Sequence, residues 1–348
     1  MTTIAPTPVG APLRTLPRVR RGSVRGLLVL AALLVVAGLL SLAIGSRTIP
    51  LGTVVDVLLH PDGSDASTIV HDLRIPRTVV AIAVGLALGV AGALMQGHTR
   101  NPLADPGLLG VEAGASFAVV IGIYVFGVTE LTGYAWFALL GAGLASVAVF
   151  AIGSTRGGPD PVSLVLAGTA VSALLYALTQ TILLRDIDTL DDYRYWSVGS
   201  VAGRDMDVFW EVLPFLVVGV LLAAISAAKL NLIQLGDDVA VSLGLHPMRH
   251  KVIGVLAVMM LTGAATAACG PVGFVGLVVP HVARFFAGVD YRWVIPYSAL
   301  IGGIFLVAAD VIGRVVVRPA ELQVGIVMAL VGGPAFIVLV RRSRMVRI

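Results

Sequence analysis

Residues 234–252 read QLGDDVAVSLGLHPMRHKV and separate two apolar stretches, 208–228 and 252–269. The segment reads as helical but is much too short to cross a bilayer, which takes about 20 apolar residues. Gly236 and Asp237 suit the start of a helix, and Asp238 adds negative charge to its first turn, where the helix dipole favours it. Val239, Ala240 and Leu243 are expected on one face, and Gly244 can end the helix in the left-handed region. Pro247 then suits the first turn of a second helix running into the next apolar stretch. On these residues alone two readings stay open. The segment is a docking surface for a soluble partner, or an amphipathic loop lying on headgroups.

The chain around it has the composition of a polytopic membrane protein. Of its 348 residues 57% are hydrophobic and 13% charged, and the mean hydropathy is +0.97. Soluble domains carry about 25% charged residues. The apolar stretches are continuous rather than alternating, which points to an all-α bundle, since backbone groups in lipid must be satisfied within each segment. A single cysteine, Cys269, excludes an internal disulfide and cysteine-clustered metal sites. No cofactor or metal is expected. Asp186, Asp188, Asp191 and Asp192 lack the glycine turn and bidentate glutamate of a calcium loop and read as a solvated loop.

Ten apolar stretches are expected to span, near 26–44, 78–96, 107–127, 135–153, 161–184, 208–228, 252–269, 272–289, 293–313 and 323–340. Residues 1–25, with Arg14, Arg18, Arg20, Arg21 and Arg25, read as a disordered cytoplasmic tail, and 26–348 as one transmembrane domain. That threading puts sixteen of the 24 basic residues inside and eight outside, in accord with the positive-inside rule, and returns both termini to the cytoplasm. The polar segment then faces the cytoplasm. The third, eighth and ninth stretches are polar-spotted or hold Pro280 and Pro296, and irregular helices there must be buried in protein or line a cavity.

The run LGDDVAVSLGLHPMRHKV, followed by LTGAATAACGPVGFVGLVVPHVARFFAG at 261–288, resembles the signature region of the FecCD/BtuC-like permeases of type II ABC importers. RIPRT at 74–78, NPLADPGLLGVEAGA at 101–115, WSVGSVAG at 196–203 and AELQVGIVMALVGGPAFIVLV at 320–340 extend the resemblance, in order, over nearly the whole chain after residue 45. The resemblance implies ten spans and a permease without enzymatic activity in the cytoplasmic membrane. It would pair with a second permease chain, the same or a paralogue, above two ABC ATPase subunits, and be fed by an extracytoplasmic binding protein. Ferric siderophore is the expected cargo, with cobalamin or haem as alternatives. Neither Lys229 nor Lys251 is followed by Ser or Thr, so no phosphate-binding loop is present and ATP hydrolysis is expected on another chain.

By resemblance, ATPase coupling falls on Gly236, Asp237, Asp238, Val239, Ala240, Leu243, Gly244, Leu245 and His246, within coupling helices at about 236–250. Binding-protein docking falls on Arg74, Arg77 and Arg314, whose guanidinium forks match carboxylates. Arg318 is expected to snorkel to headgroups. The cytoplasmic gate falls on Asn101 and Leu103 and on Asp160, Pro161, Val162 and Ser163. His281 and Arg284 are read as a structural motif on the ATPase side. Glu112 and Gln323 depart from the family pattern. An ion-coupled carrier, the competing class, would work through intramembrane carboxylates, for which Asp310 and Glu112 are the candidates.

Overall fold

The computed structural model describes residues 22–155, 158–159 and 161–342. The tail 1–21 and Asp160 lie outside the described residues. The chain forms α1 (Val24–Ala43), a short outer helix α2 (Leu51–Leu59), and α3 (Asp65–Thr68), which passes through a π-helical turn, Ile69–Arg74, into α4 (Ile75–Thr99). Next come α5 (Val111–Phe126), α6 (Leu131–Gly153), α7 (Pro161–Arg185), α8 (Ile187–Ser197) and α9 (Met206–Ile233). The polar segment forms α10 (Asp237–Ser242), followed by α11 (Pro247–Cys269), α12 (Val275–Ala287), α13 (Tyr291–Val316) and α14 (Val324–Arg342). Ser154–Thr155 and Gly158–Pro159 make a minimal antiparallel pair between α6 and α7.

Among the described residues seven helices are long and apolar enough to cross a membrane, and α5, α12 and α14 are shorter apolar helices. Together they match the ten expected stretches. The two shortest, α5 and α12, bury much of their length against neighbouring helices, as irregular spans require. The ninth stretch proves regular: α13 continues through Pro296 for 26 residues. Two helices outside the apolar stretches, α2 and α8, were not expected. In α2, Val54 and Val57 pack with Leu42, Ile49 and Val70 into a small separate core.

The long-range ion pairs agree with the threading, because each joins residues assigned to one side. Arg100 meets Asp237 inside; Arg77 meets Glu321 outside.

The centre is the antiparallel pair α4 and α13, and glycine sets its spacing. A methyl on Gly85 would lie 2.4 Å from the Gly302 carbonyl oxygen, and one on Gly302 would lie 2.2 Å from that of Gly85. Gly89 meets the Ser298 carbonyl in the same way, and Gly114 on α5 meets Gly141 on α6. Without a hydrophobic force between helices in lipid, such close backbone contact supplies the dispersion energy that holds them. Gly85→Val is therefore expected to destabilise the detergent-solubilised protein by about 1–3 kcal/mol, read as a lowered thermal midpoint. Gly143→Ala, with nothing within 4 Å of the added carbon, should leave the midpoint unchanged.

Candidate functional site

At the cytoplasmic end, Gly236 turns the chain out of α9 at φ +114° and Gly244 ends α10 at φ +77°. The Gly244 N–H donates to the Val241 carbonyl at 2.9 Å, and that of Leu245 donates to Ala240 at 3.0 Å. Asp237 fixes the helix to the bundle. Its two carboxylate oxygens accept from Arg100, at 2.5 Å, and from Lys251, at 2.7 Å. Arg100, the left-handed C-cap of α4, also donates to the Ile233 carbonyl at the end of α9, at 2.7 Å. One carboxylate thus ties α10 to α4, α9 and α11.

The expected apolar face divides. Ala240 is fully buried and Leu245 nearly so, whereas Val239, Val241 and Leu243 are exposed. Residues 239 and 243 are one helical turn apart and share a face, while residue 240 is rotated by about 100° toward the bundle. Ala240 is therefore an anchor rather than part of the outward surface. With Leu235 and Met248, the exposed side chains form an apolar rim that no described residue covers. Beside it lies a recess of about 550 Å³ lined by Gln96, Arg100, Asn231, Arg284 and Asp290 among others. Arg284 donates to Gln96 Oε1, and Gln96 Nε2 donates to the carbonyls of Gly276 and Leu277 at 3.2 and 3.1 Å. His281 Nδ1 pairs with the Leu277 carbonyl at 3.0 Å. Arg284 thus stitches α12 to α4, whereas the His281 bond lies within α12.

Of the gate residues, Asn101 and Leu103 are exposed, and the Leu103 N–H donates to Asn101 Oδ1 at 2.9 Å. This side-chain turn breaks the chain between α4 and a 3-10 turn at Pro106–Leu109. Pro161 opens α7, Val162 is exposed and Ser163 half-buried. Beyond these residues α7 meets the 3-10 turn where Gly168 abuts the Leu108 carbonyl, which a methyl there would approach to 1.8 Å.

At the outer end the three arginines come together, but not as a surface. Asp310 on α13 receives Arg77 Nη2 at 2.7 Å and Arg314 Nη2 at 2.5 Å. Arg77 also pairs with Glu321 at 2.7 Å. Arg314 is 2% exposed and donates to the Ser41 carbonyl and hydroxyl at 2.9 and 2.6 Å. Arg74 is also buried, donating to the carbonyls of Leu42, Ala43 and Arg47. Arg74 and Arg314 thus spend their donors on the end of α1, which corrects the expectation that they face a partner. Only Arg77 reaches an open recess, of about 320 Å³, lined also by Asp192, Trp196, Arg204 and Glu321. Arg318 donates to the Gly45 carbonyl at 2.6 Å and so clasps the linker after α1 instead of snorkelling. The sequence reading missed Glu321 and the true role of Asp310. The i,i+4 spacing of Asp310 and Arg314 was the available signal.

Sequence motifs with no assigned role prove structural. In WSVGSVAG, Ser200 N–H donates to the Cys269 carbonyl at 2.7 Å and the Gly199 carbonyl accepts from Gly325 at 3.0 Å, joining the ends of α11 and α14. Asp186 caps α8 through the Thr189 N–H at 3.0 Å, and Asp191 pairs with Arg194. Among the described residues no group of three His, Cys, Asp or Glu is placed to hold a metal.

Two outcomes follow. Asp310→Asn leaves two buried guanidiniums without their counter-charge and is expected to cost about 3–5 kcal/mol of stability, whereas Glu321→Gln, at the edge of the recess, should cost no more than about 1 kcal/mol. Thermal melts of the two variants compare them directly. At Asp237, partial burial works to raise the carboxyl, but hydrogen bonds and charge from Lys251 and Arg100 outweigh it and hold the group below its ordinary value of 3.8. The stabilisation of α10 is therefore complete above that pH and is lost as pH falls through the lower native value. Amide protection in α10, corrected for intrinsic exchange, should exceed that of Asp237→Asn by a constant factor at neutral and mildly acid pH, the difference closing only in strong acid.

Comparison with known proteins extends this geometry to a family. The profile of the FecCD transport family matches residues 33–342. The ferric enterobactin transport system permease protein FepD of Escherichia coli K12 is 46% identical over 316 residues, covering 90% of this chain and 94% of FepD. The iron(3+)-hydroxamate import system permease protein FhuB of Bacillus subtilis is 42% identical over 329 residues, covering 93% and 84%. The hemin transport system permease protein HmuU of Yersinia pestis is 36% identical over 336 residues, covering 95% and 98%. A solved structure of a metal-chelate type ABC transporter in an inward-facing conformation superposes with a TM-score of 0.80 at 26% identity, over 91% of this chain and 98% of that one. With its apolar helices in the expected number and order and nearly its whole length matched, this multi-pass membrane protein belongs to the FecCD transport family.

Proposed function

We propose that the chain is the permease subunit of an ABC importer that carries a ferric siderophore across the cytoplasmic membrane. Residues 26–348 act as one permease domain, and residues 22–25 join it, since α1 opens at Val24 and the Gly22 N–H donates to the Ala287 carbonyl at 2.9 Å. A second permease chain, two ABC ATPase subunits and an extracytoplasmic binding protein complete the assembly. The observation that carries this reading is the coupling segment: a short cytoplasmic helix presenting Val239, Val241 and Leu243 to solvent while Asp237 locks it to three spans. A chain without a phosphate-binding loop needs such a surface to receive work from an ATPase. Residues Gly236 to His246 take that role, with Ala240 and Leu245 as its anchors.

At the outer face Arg77, alone of the three arginines in reaching the recess, meets an acidic group of the binding protein, and Arg74 and Arg314 hold the rim in shape. Asn101 and Leu103, with residues 160–163, close the cytoplasmic end of the pathway. A carrier driven by ions is disfavoured because Asp310, its main candidate, is consumed by two guanidiniums. Ferric siderophore is favoured as cargo by the ferric enterobactin and iron-hydroxamate relatives, and haem is the second reading, favoured by the hemin relative.

Uptake of radiolabelled ferric siderophore, haem and cobalamin in cells lacking and regaining the chain tests the cargo. Iron accumulation unaffected by the deletion would sink the siderophore reading. Gly244→Pro tests coupling. Proline cannot adopt φ +77° and removes the N–H that closes α10, so ATP-driven uptake should fall by about tenfold or more with the chain still inserted. Uptake that survives at the original rate means the segment is only a loop.

A further inference from the structure

His98, on the last turn of α4, is buried, and neither of its ring nitrogens has a hydrogen-bond partner among the described residues. A buried, unpaired polar group costs about 1–3 kcal/mol, so one retained in a tightly packed bundle calls for an explanation. Its surroundings supply one. Nε2 rests against the α11 backbone at Gly254, where an added methyl would lie 1.8 Å away, so only glycine admits the ring. One turn earlier on the same face of α11 stands Lys251, whose ammonium is bonded to Asp237 of the coupling helix. His98 and Lys251 border the same small cavity, about 20 Å³ in volume. Its other walls include Leu109, which follows the first gate segment, and Leu164, which follows the second.

The chain beyond both gate segments, at Leu109 and Leu164, and the lysine that holds the coupling helix therefore surround one unpaired imidazole. An ammonium has three donors, and Lys251 uses one on Asp237, so the lysine needs only to swing along a flexible stem to reach an acceptor nitrogen of His98. We infer that Lys251 exchanges between Asp237 and His98 during transport, which makes His98 the positioning residue through which the coupling helix acts on the gate. With Lys251 on Asp237, α10 is locked to the bundle and His98 is left unsatisfied. With Lys251 on His98, α10 is held through Arg100 alone and the cavity between the gate segments is occupied. The exchange gives up the ion pair at Asp237, offsets part of it by satisfying the buried imidazole, and leaves a docked subunit to supply the remaining bias.

This inference rests on the ATPase-coupled reading above, and one experiment separates the two. The whole importer is reconstituted in proteoliposomes with ATPase and binding protein, and cargo moved per ATP hydrolysed is measured. Absence of ATP-driven uptake with the unaltered chain would overturn the proposed function itself. With that uptake present, His98→Leu is expected to keep ATP hydrolysis and lower cargo per ATP by about tenfold, the worth of one hydrogen bond to a charged group. His98→Gln, which restores an acceptor, should recover most of it, and Lys251→Met should match His98→Leu. The double variant should be no worse than either single, because both remove the same contact. A His98→Leu importer with the original ratio, failure of Gln to recover it, or losses that multiply in the double variant would overturn the exchange. Should His98→Leu not reach the membrane, Lys251→Met decides, and an unchanged ratio there overturns the exchange equally.

Discussion

One carboxylate, that of Asp310, sits between the guanidiniums of Arg77 and Arg314, and the outer half of the molecule depends on it. Taking three charges out of water is affordable only when their geometry is close and the leftover donors are used. Here Arg77 spends a donor on Glu321, and Arg314 spends its own on the Ser41 hydroxyl and on the Ser41 and Ile44 carbonyls at the end of α1. Arg74 adds bonds to the two carbonyls between these, those of Leu42 and Ala43. The last turn of α1 would otherwise expose unsatisfied acceptors at the membrane boundary. The cluster thus links α1, α4 and α13 and presents a single guanidinium, that of Arg77, at the outer recess.

The inner half follows the same plan, one carboxylate between two cations. There a single carboxylate, Asp237, lies on the short helix α10, and the cations Arg100 and Lys251 belong to the ends of α4 and α11. The difference in burial matters. Asp310 is almost wholly enclosed, whereas Asp237 is nearly half exposed, so water can compete for the inner clamp and not for the outer. The Asp310 cluster is thus closed to solvent and the Asp237 cluster open to it.

Hydropathy was enough to predict ten apolar helices and their order, because in lipid the backbone leaves few alternatives. The motifs were enough to indicate the family. What they could not convey was which charges fold onto which. Arg74, Arg77 and Arg314 look alike in sequence, and only the fold separates the two buried members from Arg77, which borders the outer recess. Val239 and Ala240 are neighbours of like polarity, and a rotation of about 100° per residue sends one outward and the other into the core. Short amphipathic helices such as α2 and α8 carry too few apolar residues for a hydropathy window to register, although their buried faces are definite.

The glycine seam between α4 and α13 bears on how such a bundle can move. Where a carbonyl oxygen of one helix occupies the site of a missing side chain on the other, at Gly85, Gly89 and Gly302, axial sliding by even one residue would drive a neighbouring side chain into backbone. The seam behaves as a toothed joint that admits tilting as one piece but no slip. Motion is then confined to elements outside it, and α4 carries any rotation undiminished from its cytoplasmic tip at Arg100 to its outer end at Arg77, a rigid shaft running from one face of the membrane to the other.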